Sequence, residues 1–312
     1  MRPTDCHSAD CFSLLKRSPA ASRSLDIAAS NGVRFERVPA HQICDSAGFW
    51  DREDKKVLVS QDLDPAMTVG VISHELRHAI QDGHGLLELW DSTPPSMGLA
   101  VLLALEADAN VFAIAVAHEL AEAGYGSILA ALTRDCWMQP MTRCWSRCAA
   151  DGWQTARTAS CVLEAYADCG GHDFYAAYQQ FLWDEALSIR SGLKSVPGDE
   201  GHYRRARSAE PFILDESHSD GAIATRIATL DALCRDTPDR HCPTPGVAAG
   251  WTAFERISAL DICGQPYCRD GARRAFDRFV RQASSIGHCL TDLERRNSLI
   301  RPPSPLSSSV SR

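Results

Sequence analysis

Apolar positions recur at helical spacing along most of the chain and alternate in strand fashion at only a few short places. Ser24 to Ser30 reads as a short helix closed by Asn31-Gly32, and Val33 to Val38 then alternates like a strand. Gly48-Phe49-Trp50 and Val57-Leu58-Val59 flank the charged run Asp51 to Lys56, which predicts a hairpin. Asp64 supplies an N-cap, Pro65 a first helical residue and Gly83 a stop; between them Val69, Ile72, Leu76 and Ala79 share one face, so this helix can be buried against a core. Ser96 opens a long apolar helix that runs to about Ala123 and ends at Gly124. Further helices are predicted over Ser127 to Arg147, Thr155 to Ala167, Asp173 to Arg190, Ala222 to Arg235 and Ala272 to Ser284.

This pattern predicts an α+β fold that is predominantly helical. Residues 1–23 read as a flexible N-terminus, residues 24–195 as one domain, the Pro/Gly-containing stretch Ser195 to Gly201 as a boundary, and residues 201–295 as a helical C-terminal region. The Ser/Pro-rich tail over residues 302–312 reads as disordered. No internal repeat is present.

Composition narrows the picture. With 312 residues and 45% apolar content the chain can bury a sizeable core, and a net charge of −8 without a long Lys/Arg run argues against nucleic acid as a partner. The locally basic stretch from Arg269 to Arg301 reads as a solvated helix face. Met1 to Ala21 lacks the apolar run of a secretory signal, which points to the cytoplasm. Met97 to Ala117 has nearly the length of a membrane span, but Glu106, Asp108 and Asn110 fall in its middle, so it reads as a buried helix and no membrane association is expected. The 13 cysteines are odd in number and form no CxxC pair; Cys136, Cys144 and Cys148, or Cys263 and Cys268, fit no zinc ribbon or finger, and free, mostly buried thiols are expected.

The second half of the Asp64-capped helix carries His74-Glu75-Leu76-Arg77-His78, the pattern HExxH. Helical residues four apart lie only about 40° apart around the axis, so both imidazoles can grip one metal ion while Glu75, beside them, takes a proton from water. A catalytic zinc needs a third protein ligand, and two residues compete for that place. Glu106, in Glu106-Ala107-Asp108-Ala109-Asn110, shares a helix face with Asn110, so its carboxylate can bind metal while the amide supports one histidine from behind; Ala109 near that face permits close helix approach, and Asp108 should point away. His84 stands six residues after His78, but Gln81 occupies the place where that arrangement needs a helix-breaking glycine, and a helix continuing to Asp82 carries His84 roughly 9 Å along the axis from His78. Glu106 is therefore favoured, with His84 a loop residue at the rim. His118 would lie roughly 18 Å from Glu106 on a continuous helix and reads as a partly buried structural histidine. Arg77 reads as half of a surface salt bridge.

SHELRHAIQ at Ser73 to Gln81 followed by LEADANVFA at Leu105 to Ala113 resembles the gluzincin type of zinc metallopeptidase. More narrowly it resembles a bacterial metallopeptidase family of unknown function with HELRHAxQ and then EADA, and the ExxAN spacing is similar to that of the ImmA/IrrE-like peptidases. The resemblance covers about residues 24–125. It implies a small zincin-like sheet packed on the HExxH helix with a helical C-terminal half beyond it, Zn²⁺ held by His74, His78 and Glu106, Glu75 as general base, Asn110 in support, and a peptide or protein as substrate. It also implies a sheet edge that takes substrate in extended form, for which Val57 to Ser60 is the available segment, and a Tyr or His that stabilises the oxyanion, for which His202 and Tyr203 are available.

Overall fold

The computed structural model describes residues 8–43, 46–93, 95–169, 175 and 245–286. In chain order these form α1 (Ser8–Leu15), α2 (Pro19–Ser30), β1 (Arg34–Val38), a 3₁₀ turn (Ala40–Ile43), β2 (Gly48–Asp51), β3 (Lys56–Ser60), α3 (Pro65–Gly83), α4 (Leu86–Asp91), α5 (Pro95–Glu122), α6 (Gly126–Arg134), α7 (Gln139–Ala150), α8 (Thr155–Ala167), α9 (Pro245–Ala259) and α10 (Arg269–Ile286). The fold is α+β and predominantly helical, with one small sheet.

The sheet has the order β1-β3-β2, with β1 parallel and β2 antiparallel to β3. Val57 and Val59 are buried while Leu58 between them is half-covered, so β3 turns one face onto α3. The hairpin over β2 and β3 is where the alternation put it. Its second strand, however, is the middle of the sheet, so Val57 to Ser60 offers no free edge and the expectation of a substrate-binding edge there fails. Among the described residues the outer strands are β1 and β2.

The sheet packs on α3, α3 packs on α5, and α6, α8, α9 and α10 cover α5. The apolar stretch of α5 (Met97–Glu122) is long and apolar enough to cross a membrane, yet 89% of its most apolar window is buried inside the protein. Leu99, Leu103, Leu105, Ile114 and Leu120 are wholly removed from water. Burying each such leucine or isoleucine contributes about 1.5–3 kcal/mol, so α5 is the main apolar axis of the molecule. One contiguous core includes residues from α1 through α10, so the described parts of segments 24–195 and 201–295 share it.

Several elements depart from the sequence pattern for identifiable reasons. Residues 8–23 are not a flexible terminus: Ser18 caps α2 by accepting the Ala21 N–H, Pro19 opens it, and Glu119 of α5 accepts from the Ser18 hydroxyl at 2.5 Å and the Ala20 N–H at 3.0 Å. Cys11 and Leu15 of α1 are buried, and Phe12 meets Phe35 of β1 edge to face. The single helix expected over Ser127 to Arg147 is two. Pro140 lacks the N–H that a helix interior needs, and Asp135 accepts from the backbone of Trp137 and Met138, which starts α7 afresh. The short α4 and the whole of α9 were not signalled. Helices over 173–190 and 222–235, the 195–201 boundary and the 302–312 tail lie outside the described residues, apart from Tyr175, which is helical. Among the described residues eight cysteines are free, of which only Cys11 and Cys148 are buried, so the thiols are less buried than expected.

The α10 face that reads as basic carries ion pairs to α8: Arg274 meets Glu164 at 2.8 Å and Arg278 meets Asp168 at 2.5 Å. On α5, His118 stacks on Trp145 of α7 with ring centroids 5.6 Å apart. Burial pushes this imidazole down to about 4. The unfolded chain takes up that proton near pH 6.5 and the folded chain resists it to about pH 4, so this site lowers stability as pH falls through that interval and no further below it. Urea unfolding across pH 4 to 6.5 should therefore show a shallower decline for His118→Phe, which keeps the stack without the titration; identical slopes would contradict the assignment.

Candidate metal centre

Helix α3 starts where sequence places it because the Asp64 carboxylate accepts from the N–H groups of Ala66 and Met67 and Pro65 needs no partner for the nitrogen it lacks a proton on. It ends at Gly83, followed by His84 and by Gly85 in the left-handed region at φ +67°. Val69, Ile72, Leu76 and Ala79 are buried, which fixes the rotation of the helix about its axis. That rotation presents His74 and His78 together, their rings 4.7 Å apart and nearly perpendicular.

Helix α5 packs against α3, with Ala109, near the face of Glu106 and Asn110, wholly buried. The close approach brings Glu106 to the two imidazoles. His74 Nε2 lies 3.0 Å from His78 Nε2 and 3.4 Å from Glu106 Oε2, and His78 Nε2 lies 3.6 Å from Glu106 Oε1. These three side chains form the cluster able to hold a metal ion among the described residues. Asn110, one turn beyond Glu106, places its Oδ1 3.1 Å from His74 Nδ1. Gln81, one turn beyond His78, places its Oε1 2.8 Å from His78 Nδ1.

Glu75 is 8% exposed and lies under β2. At Gly48 the strand comes so near that a β-carbon would sit 2.4 Å from Val71 Cγ1, 2.9 Å from Glu75 Cγ and 3.1 Å from Glu75 Oε1. Only glycine fits there. Burial raises the Glu75 carboxyl above its ordinary range; His74, His78 and the Trp50 backbone pull against it, and Glu106 reinforces the rise. For His78, burial works against the charge, but the Glu106 carboxylate overcomes it and pushes the imidazole up to about 9. Burial likewise opposes ionisation of Glu106, and His78 and His74 together hold it well below the usual carboxylate range. With His78 raised and Glu106 lowered, a metal ion taken up by this cluster would have to displace a proton.

His84 stands at the end of α3, and its backbone carbonyl accepts from Arg256 of α9. It is not part of the three-residue cluster. Asp108 does face away from the cluster, but with a function sequence did not disclose: it takes Arg77 in a two-point ion pair at 2.7 and 2.8 Å, with side chains 0% and 3% exposed. Arg77 is therefore a core residue, not half of a surface bridge, and its guanidinium also lies over the Phe112 ring. His202 and Tyr203 lie outside the described residues. A different tyrosine reaches the cluster: Tyr175 Oη donates to Glu106 Oε2 at 3.1 Å. Burial, then Glu106, raises that phenol well above its ordinary range, so it remains a neutral donor. Tyr175 is 69 residues from Glu106 with no motif around it, so no local signal could have selected it.

The profile of the Putative metallopeptidase family (DUF6782) matches residues 3–166, just over half of the chain. No curated protein and no solved structure matches it.

Removing one partner of the Arg77–Asp108 pair strands a charge away from water, which costs about 3–5 kcal/mol. Asp108→Ala should lose that much in urea unfolding, whereas Asp54→Ala, which breaks the exposed pair with Lys56 at 2.8 Å, should leave stability almost unchanged. Equal effects from the two would contradict the placement of Asp108.

Proposed function

Since the chain belongs to the putative metallopeptidase family DUF6782, we propose that it is a zinc-dependent peptidase of the gluzincin type, with His74, His78 and Glu106 holding Zn²⁺ and Glu75 as general base. The observation that carries this reading is the spacing of the donor atoms. Two ligands of a tetrahedral zinc at about 2.0–2.1 Å stand about 3.3 Å from one another. The donor pairs here are 3.0, 3.4 and 3.6 Å apart. Among the described residues the cluster holds three protein donors, the number that leaves a position for water; a purely structural zinc is closed by four.

Bound in this cluster, zinc supplies a Lewis acid that acidifies water and polarises a carbonyl. The chain's own residues do the rest. Glu75 accepts the proton of the attacking water and returns it to the departing amine nitrogen. Its burial raises its basicity over that of a free carboxylate and keeps competing solvent away. Glu106, held by Tyr175, balances part of the ionic charge. Among the described residues the outer strands of the sheet are β1 and β2, and β2 is the one that reaches the site, since its Gly48 lies against Glu75. An extended peptide pairing along β2 would pass over the cluster, so the substrate in this reading is a peptide or protein strand, recognised partly through its backbone. In this reading the reaction takes place in the cytoplasm, whose reducing conditions suit the buried thiol of Cys148.

The purified chain should carry about one zinc per molecule and cleave members of a mixed synthetic peptide library followed by mass spectrometry. Glu75→Gln should keep its zinc and lose activity by about 10²–10⁴-fold. Glu106→Ala should lose the metal, while His84→Ala keeps it. A wild-type protein without zinc, or a Glu75→Gln variant as active as its parent, would overturn the reading.

A further inference from the structure

Behind the metal ligands lies a polar network that reaches from α3 to the segment between α9 and α10. Gln81 is wholly buried, and each of its amide atoms has a partner. Its Nε2 donates to the Leu105 carbonyl at 2.9 Å and to Asp108 Oδ2 at 2.7 Å, using both protons. The amide therefore has only one orientation available, with Oε1 turned to His78 Nδ1 at 2.8 Å. An acceptor at that position requires a proton on Nδ1. The lone pair of the neutral imidazole then sits on Nε2, the nitrogen that faces His74 and Glu106.

Asp108 is fixed in turn. Arg77 grips both of its oxygens, and the hydroxyl of Tyr267, wholly outside the matched family region, donates to Oδ1 at 2.6 Å. Arg77 is tied to the same C-terminal segment by a 3.0 Å hydrogen bond to the Asp261 carbonyl. Tyr267 is 5% exposed, and burial followed by Asp108 keeps its phenol protonated and donating.

We propose that Gln81 is a positioning residue that holds His78 in its metal-binding tautomer, and that Asp108, clamped by Arg77 and by Tyr267 from the C-terminal segment, sets the direction of the Gln81 amide. The proposal rests on the metal-centre reading given above. It makes residues 261–267 part of the machinery of the site although they never touch it. Asn110 stands in the corresponding place for His74, and among the described residues no such clamp holds it, which gives an internal comparison.

The test uses the full chain, stripped of metal and titrated with Zn²⁺ against a chromophoric chelator, with ¹⁵N-histidine NMR of the zinc-loaded protein as the second readout. Gln81→Met, which fills a similar volume but offers no acceptor, should weaken zinc binding about 10- to 100-fold. It should also abolish the slowly exchanging Nδ1 proton signal of His78 while leaving that of His74. Tyr267→Phe should shift both readouts in the same direction by a smaller factor, with Gln81→Met and Tyr267→Phe combining less than additively. If Gln81→Met binds zinc within about twofold of wild type and keeps the His78 signal, the proposal fails and the metal centre stands. If Gln81→Met does not fold, a wild-type spectrum without a protected His78 Nδ1 proton, or a Tyr267→Phe protein indistinguishable from wild type in both readouts, overturns it instead. Wild-type protein that takes up no zinc overturns the metal-centre reading and this one with it.

Discussion

Arg77 and Asp108 meet between α3 and α5 with both side chains withdrawn from water, and a charged pair in such a place tolerates little displacement, because any lengthening leaves two desolvated charges uncompensated. The pair thereby fixes the register of the two helices that carry the chemistry. Arg77 lies between His74 and His78 in sequence and Asp108 lies between Glu106 and Asn110, so locking one pair aligns the other. The two sets face different sides of the same contact. Apolar contact alone would not do this, since it is non-directional and tolerates sliding by a fraction of a turn. The ionic contact supplies direction where the apolar contact supplies closeness.

The part of this arrangement that could be read from sequence is the part written in local spacing. HExxH on a helix with a defined cap determines where two imidazoles stand relative to one another, and a Glu and an Asn four apart on the next helix determine what a second face can offer. Asp64, Pro65 and Gly83 mark α3 because capping is a property of neighbouring residues. Contacts between distant segments left no such trace. Tyr175 and Tyr267 reach the region from far along the chain, and neither has a neighbour that marks it. The sheet shows the same division: alternation located β2 and β3, but their order depends on β1 pairing with β3, which is a matter of tertiary packing. Ser18-Pro19 and Pro140 are local signals for helix starts, and they mark the opening of α2 and the break between α6 and α7.

The electrostatic design around the cluster favours neutral support. Both imidazoles are oriented by amide oxygens, from Asn110 and Gln81, where a carboxylate would have added a further negative charge. Glu106, the carboxylate of the cluster, receives a phenol hydrogen bond that spreads its charge. Asp108, near enough to matter, is neutralised by Arg77. A divalent ion with two neutral ligands and one anion retains a net positive charge, which is the condition under which nearby water loses a proton readily. Glu75, raised by burial, is suited to receive it.

The position of α5 has a consequence for how the chain is made. This helix is apolar along most of its length, and it is covered on several sides by α8, α9 and α10, all of which follow it in sequence. During synthesis it leaves the ribosome well before those partners exist, so for that interval the nascent chain displays a stretch resembling a membrane segment, the kind of surface that chaperones shield and that invites aggregation. Residues 245–286 are then a cover that arrives last, and a chain ending at residue 166 would contain His74, His78 and Glu106 yet leave its central helix wet.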